Sequence, residues 1–177
     1  IAFIIKQTGE TKFALHNLEK LKCYIQRYIT EQQHPNGLFF WKDDFAVGTD
    51  NDPTVFSRPR NSCGSIFLNS MMFKEMQAMG FITEALGDTE SASKWRDQAD
   101  KLKAAIQKYC WDERDGCFYS VDFDLLQPVR GAKLHVGMQR FWDCLIMRLG
   151  AWSSFLPMWA GIATQEQAER MTAEHIT

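Results

Sequence analysis

Between Thr11 and Thr30, apolar side chains fall at Ala14, Leu18, Leu21, Ile25 and Tyr28, in steps of three or four. That spacing predicts an amphipathic helix with one buried face. His34-Pro35-Asn36-Gly37 then stops it. From Asn61 to Leu86 the apolar positions Ile66, Phe67, Met71, Phe73, Met76, Met79, Ile82 and Leu86 cover more than one face, so this second helix should be buried on most sides. Its methionines read as core filler. Gly87 ends it, and Asp88 is suited to cap the next helix. That third helix runs from about Thr89 to Tyr109, with Ala92, Trp95, Ala99, Leu102, Ile106 and Tyr109 on one face and charged residues off it. Trp111 to Gly116 reads as a turn, Cys117 to Val121 as a short strand, and Gln139 to Leu149 as helical. Thr164-Gln165-Glu166-Gln167 fits a capping box and opens a last helix near Gln165.

Buried and half-exposed helices thus alternate, which suits a ring of helical hairpins in a single all-α domain. No exact repeat recurs at short period, so a solenoid is not favoured. The interruption is Leu38 to Pro59, which has no helical period and carries Pro53 and Pro59. It reads as a long ordered loop, and such loops in compact domains are often functional.

The stretch from Trp41 to Pro59 concentrates Asp43, Asp44, Asp50, Asn51, Asp52 and Arg58 among Trp41, Phe45 and Phe56. Carboxylates and amides bond sugar hydroxyls, and aromatic faces pack on sugar C–H groups. Glycoside hydrolysis uses two carboxyl groups, one of them kept protonated by burial or neighbouring charge. The same residues also allow two plainer readings. Asp-Asn-Asp-Pro forms turns readily, and clustered Asp can hold Ca²⁺.

Composition narrows the classes. Hydrophobic residues at 45% and charged ones at 24% match a soluble globular protein. A net charge of -2 with no Lys/Arg cluster argues against nucleic acid or an acidic membrane surface as the main partner. The opening run Ile-Ala-Phe-Ile-Ile is too short to insert in a membrane. Cysteines are odd in number (Cys23, Cys63, Cys110, Cys117 and Cys144) and none form C-x-x-C, so free, mostly buried thiols are expected, with a Cys110–Cys117 bridge as the alternative. The histidines His16, His34, His135 and His175 lack the spacing of a catalytic zinc site. Asp112, Glu113 and Asp115 read as a turn.

Several ordered segments resemble glycoside hydrolase family 63, the processing α-glucosidases and their bacterial relatives. They are Gly48-Thr49-Asp50-Asn51-Asp52-Pro53, Arg58-Pro59, Ser65-Ile66-Phe67-Leu68-Asn69, Leu86-Gly87-Asp88, Trp111-Asp112-Glu113 with Gly116, and Leu156-Pro157-Met158-Trp159-Ala160-Gly161. The resemblance implies an (α/α)6 toroid, of which residues 1–177 would be an incomplete part, and inverting cleavage of an α-glucosidic bond. The family's general acid falls on Asp50. Its general base lies further along the family's chain, near the closing helices, and is expected beyond Thr177. Glu166, Glu169 and Glu174 have the spacing of a solvated face and are not assigned to that role.

Candidate substrate-binding residues are Trp41, Asn51, Asp52, Arg58 and Trp159. For each there is a plainer alternative: a core Trp for Trp41, turn formation for Asn51 and Asp52, and a surface ion pair for Arg58. Trp159 is drawn toward a pocket wall by the resemblance, while Asn69 reads as a satisfied core amide. No organic cofactor is implied, although a structural Ca²⁺ accompanies some relatives. The expected partners are an oligosaccharide or small glucoside and the remainder of the catalytic domain. Bacterial relatives are often exported, which points to the periplasm or the exterior. Two other function classes fit the same segments: a non-catalytic helical module for glycan binding or assembly, and a phosphorolytic relative on the same toroid.

Overall fold

A computed structural model of the chain describes residues 1–43, 47–49, 52–56, 58–123 and 144–176. A short helix α1 (Ala2–Thr8) leads into α2 (Lys12–Gln32). The predicted face of α2 turns inward, with Ala14 and Ile25 buried and Leu18, Leu21 and Tyr28 half-buried. Past Gln32 the chain reverses tightly. The N–H of His34 donates to the Leu38 carbonyl (2.8 Å), and the N–H of Phe40 donates to that of Gln32 (2.9 Å). Leu38 and Phe39 are thereby driven into the core.

The centre of the structure is the hairpin of α3 (Ile66–Ala85) and α4 (Thr89–Tyr109), which pack on each other more extensively than any other pair of described elements. The two helices divide the labour as their patterns predict, except that Met71, read as core filler, is exposed. Ile66, Leu68, Met72, Phe73, Met76, Met79 and Ile82 are buried around α3, whereas α4 buries one face through Ala92, Trp95, Ala99, Leu102 and Ile106. At the crossing, Gly80 lets Arg96 and the Ala92 carbonyl approach to where a Cβ would lie 3.2 and 3.5 Å from them. The turn between the helices needs Gly87, whose φ of 83° is a left-handed conformation that L side chains adopt only under strain. Asp88 then accepts the N–H of Ser91 (3.0 Å) as the cap of α4.

Small strands lie beside this hairpin. β1 (Cys63–Gly64), β4 (Val121–Asp122) and β5 (Leu145–Ile146) form an antiparallel sheet in the order β1-β4-β5, with Cys63 opposite Asp122. β2 (Trp111–Asp112) and β3 (Cys117–Phe118) form a hairpin. After β5, a 3₁₀ turn (Trp152–Phe155) leads into α5 (Leu156–Ala160), which packs on α3, and then into α6 (Gln165–His175). The capping box opening α6 is present in full. Thr164 Oγ1 accepts the Gln167 N–H (3.2 Å), and Gln167 Oε1 accepts the Thr164 N–H (2.9 Å).

Two expectations need correction. The second helix begins at Ile66 rather than Asn61, because Ser65 caps it and Cys63–Gly64 are drawn into the sheet. Leu145–Ile146 are strand rather than helix, since their backbone pairs with β4; residues 139–143 lie outside the described residues. Cys110 and Cys117 are free and buried, as expected, each at one end of the β2–β3 hairpin.

Asn69 joins the loop to the central hairpin. Its Oδ1 accepts the Phe39 N–H (2.7 Å), and its Nδ2 donates to the carbonyls of Phe39 and Ser65 (2.8 Å each). All of this lies in the fully buried interior, as expected for a satisfied core amide. Asn69→Leu keeps the volume but strands the Phe39 amide groups. Denaturant unfolding should show a loss of about 2–4 kcal/mol, from unpaired buried groups at roughly 1–3 kcal/mol each. A loss under about 0.5 kcal/mol would mean that water or a shifted backbone replaces the amide.

Candidate active site

The acidic loop is clamped at both ends. At its start, Phe39 is held by Asn69, and the Trp41 N–H donates to the Cys63 carbonyl on β1 (3.3 Å). At its end, the Asn61 N–H returns to the Lys42 carbonyl (3.2 Å), and Ser62 donates its hydroxyl to the Pro59 carbonyl (2.7 Å). Between these clamps Val47, Thr54 and Val55 are buried against the core.

Asp52 shapes the second half of the loop. One carboxylate oxygen, Oδ1, accepts both the backbone N–H (2.9 Å) and the hydroxyl (2.7 Å) of Thr54. Its own carbonyl accepts the N–H groups of Val55 (3.0 Å) and Phe56 (2.8 Å). This is a side chain closing a turn, the plainer of its two expected roles.

Arg58 is not a surface ion pair. Its guanidinium meets the carboxylate of Asp122, which is fully buried on the middle strand β4, while the Arg58 side chain is 24% exposed. Removing one partner of such a pair leaves a charge in the interior, at a cost of about 3–5 kcal/mol. Asp43 is bonded by Arg60 (3.1 Å), and Lys42 reaches across to Glu31 on α2.

Aromatic rings continue the surface beyond the loop. Trp41 is 7% exposed, with its ring tilted against Phe67 at 6.4 Å between centroids, and its buried indole N–H has no partner among the described residues. Phe67 in turn meets Trp152 edge-on at 5.6 Å. Trp152 and Trp159 are exposed, and the Lys74 ammonium lies 5.5 Å from the Trp159 ring. Phe67, Met71 and Lys74 share one face of α3 by their helical spacing, so this helix carries the site-side surface as well as the core.

The predicted site residues therefore separate. Asp50 and Asn51 lie outside the described residues. Trp41, Asp52 and Arg58 belong to the clamped loop, and Trp159 stands on α5 against Lys74 of α3. Among the described residues, no group of three or more His, Cys, Asp or Glu converges as a metal site. The sequence reading passed over Asp122, Phe67 and Trp152 as site residues. For Asp122 the signal was present: a carboxylate between Val121 and Phe123, where strand neighbours are apolar.

Comparison with known proteins gives the class and then the family. Over 97% of this chain, at 16% identity, the structure matches the GH78 family rhamnosidase of Bacillus sp. GL1 with a TM-score of 0.68, covering 16% of that chain. It matches the neutral trehalase of Saccharomyces cerevisiae with a TM-score of 0.51 at 20% identity, over 66% of this chain and 20% of that one. The helical hairpins are thus part of an (α/α)6 toroid. A family model described as Trehalase matches residues 7–177, and the chain belongs to the trehalase family. A probable trehalase of Eremothecium gossypii is 32% identical over 144 residues, covering 75% of this chain but only 17% of that protein.

The toroid agrees with the expectation, and the matches show the trehalase family without singling out family 63. The structure gives the reason. Leu86-Gly87-Asp88 is a pair of helix caps, Trp111 to Gly116 a hairpin turn, and Leu156 to Gly161 a capped helix. These segments mark the architecture, so they locate the fold more sharply than the family.

Cys63 reports on loop closure. Burial pushes its thiol up to about 12, against the lowering effect of its contact with Thr54 (3.9 Å), and burial pushes Cys110 well above the ordinary thiol range. A raised value keeps the thiol neutral, and the thiolate is the reacting form. At pH 8 a thiol reagent should modify exposed Cys23 rapidly and leave Cys63 and Cys110 untouched until denaturation. Labelling of Cys63 at the rate of Cys23 in native protein would show that the loop does not cover it.

Proposed function

We propose that this chain is part of the catalytic domain of an inverting glycosidase that cleaves an α-glycosidic bond, with trehalose, an α-linked glucose disaccharide, as substrate. The trehalase family match across residues 7–177 carries this reading. It is supported by an acidic loop clamped at both ends beside a row of aromatic rings.

Asp50 is the general acid in this mechanism. It protonates the glycosidic oxygen as the bond to the anomeric carbon breaks. A second carboxylate, supplied from outside these residues, takes a proton from water on the opposite face, across roughly 6.5–9.5 Å. Water is the nucleophile and no organic cofactor is required. An acid of this kind must be held in place and kept protonated by its surroundings.

Trp41, Asn51, Asp52, Arg58 and Trp159 form the substrate-binding set. Asp52 and Arg58 act by holding the loop's shape, and Trp159 offers an exposed ring to a sugar face.

In the full-length protein, Asp50→Asn should lower trehalose turnover by about 10²–10⁴-fold, the usual contribution of a general acid. Calorimetry should show that sugar binding survives. Turnover near the wild-type value in that variant would sink the assignment of the acid. NMR of the first products should show one β- and one α-glucose from each trehalose, since only the attacked centre inverts. Two α-glucose molecules would exclude inversion, and a hydrolysis rate on maltose equal to that on trehalose would exclude the trehalase specificity.

A further inference from the structure

We propose that a cavity beside Trp152 is a binding site for one neutral sugar ring, with the indole as the surface on which the ring stacks. The site shares no residue with the acidic loop, so the inference does not depend on which carboxylate is the acid. The glycosidase reading enters only in the choice of probe.

The cavity has a volume of about 290 Å³, at the lower end of the roughly 300–1,000 Å³ of small-molecule sites. It lies where the end of β3, the 3₁₀ turn and the end of α6 meet, and Cys117, Tyr119, Trp152, Ser154, Phe155 and His175 are among its walls. Among the described residues, none that lines it is Asp, Glu, Lys or Arg. A cavity without a charged wall offers an ion no counter-charge, so it suits a neutral ligand.

Trp152 is 58% exposed, whereas Tyr119 is buried. The turn that carries the indole is closed by the Ser154 N–H, which donates to the Ala151 carbonyl (2.9 Å), and Phe67 meets the ring edge-on from α3 at 5.6 Å. The indole is therefore held without being covered. Such a ring combines an apolar face with a polar N–H, which matches the C–H face and the hydroxyls of a sugar.

The polar walls are fixed and have acceptors to spare. The buried Cys117 thiol is in hydrogen-bond contact with the side chains of Ser154 and Tyr119. The Tyr119 hydroxyl also meets the Asp115 carboxylate, which takes its proton and leaves the phenol oxygen as an acceptor. His175 bonds the Asp115 carbonyl through Nε2 (2.8 Å). A carbonyl can only accept, so Nε2 carries the proton, and Nδ1 of the neutral ring is left as an acceptor. Sugar hydroxyls are the donors that this set lacks.

The test reads the cavity directly in the full-length protein. Diethyl pyrocarbonate modifies accessible histidine nitrogens, and mass spectrometry compares His175 with His16, which is also exposed and lies on α2. Glucose is the probe, sorbitol the open-chain control without a ring face, and sulfate the anionic control. Glucose should slow modification of His175 saturably, by about tenfold at ten times its half-saturating concentration, and leave His16 unchanged. Trp152→Ala removes an exposed ring and should weaken binding by about tenfold, so that the same glucose concentration slows His175 only about twofold. Tyr119→Phe keeps the ring, removes the acceptor and should weaken binding by about three- to tenfold. Sorbitol and sulfate should protect neither histidine. No protection by glucose, equal protection by sorbitol or sulfate, or undiminished protection in Trp152→Ala would each overturn the site. Protection by glucose in a protein that does not hydrolyse trehalose would sink the proposed activity and support the cavity's role.

Discussion

The carboxamide of Asn69 lies where three parts of the molecule meet. It takes both amide groups of Phe39 and the carbonyl of Ser65, and so joins the start of the acidic loop to the first turn of α3. The same turn receives the sheet, because the Ile66 N–H donates to the Ser120 hydroxyl (3.0 Å). Loop, helix and sheet are therefore indexed to one point in the interior. Each of these groups would be costly to leave unpaired in the dry core, so the interior permits few other arrangements. The loop inherits its placement from α3, and α3 is held in turn by its packing against α4.

This dependence explains which features could be read from the residues alone. Helices α2, α3 and α4 announce themselves because their burial has a period, and the caps at Asp88 and Thr164 because a short polar side chain stands where N–H groups need acceptors. Asn69 was legible for a similar reason, as an amide on a buried face. The strands were legible only between Cys117 and Val121, where a short one was expected. Each is two residues long, too short for alternation to show, and β1 and β5 are defined by pairing with β4, which is remote in sequence. Asp122 was missed with its strand. Arg58 stood out as a substrate-binding candidate with an ion pair as the plainer alternative, but its partner lies 64 positions away and no local pattern names it.

The candidate site divides along the same line. Its acidic loop stands out by composition, and its aromatic surface does not. Phe67 reads as one more apolar residue of a buried helix, and Trp152 falls in a region without periodicity. They become a row with Trp41 only when α3 and the 3₁₀ turn are packed together. Membership of the trehalase family was also beyond the quoted segments, because most of them encode caps and turns that any toroid of this kind can use.

The hairpin of β2 and β3 carries one more consequence. Gly116 has a φ of 59°, and the Arg170 guanidinium of α6 lies where a side chain would stand, with Nε 2.5 Å from an ideal Cβ. That guanidinium also donates to the carbonyls of Glu113 (2.8 Å) and Arg114 (3.2 Å), and His175 bonds the carbonyl of Asp115 (2.8 Å). The bare turn is thus a seat for the last helix. Gly116 serves assembly as well as backbone geometry: the vacancy at its α-carbon is a socket, and the order in which hairpin and α6 are made in the chain is also the order in which socket and plug become available.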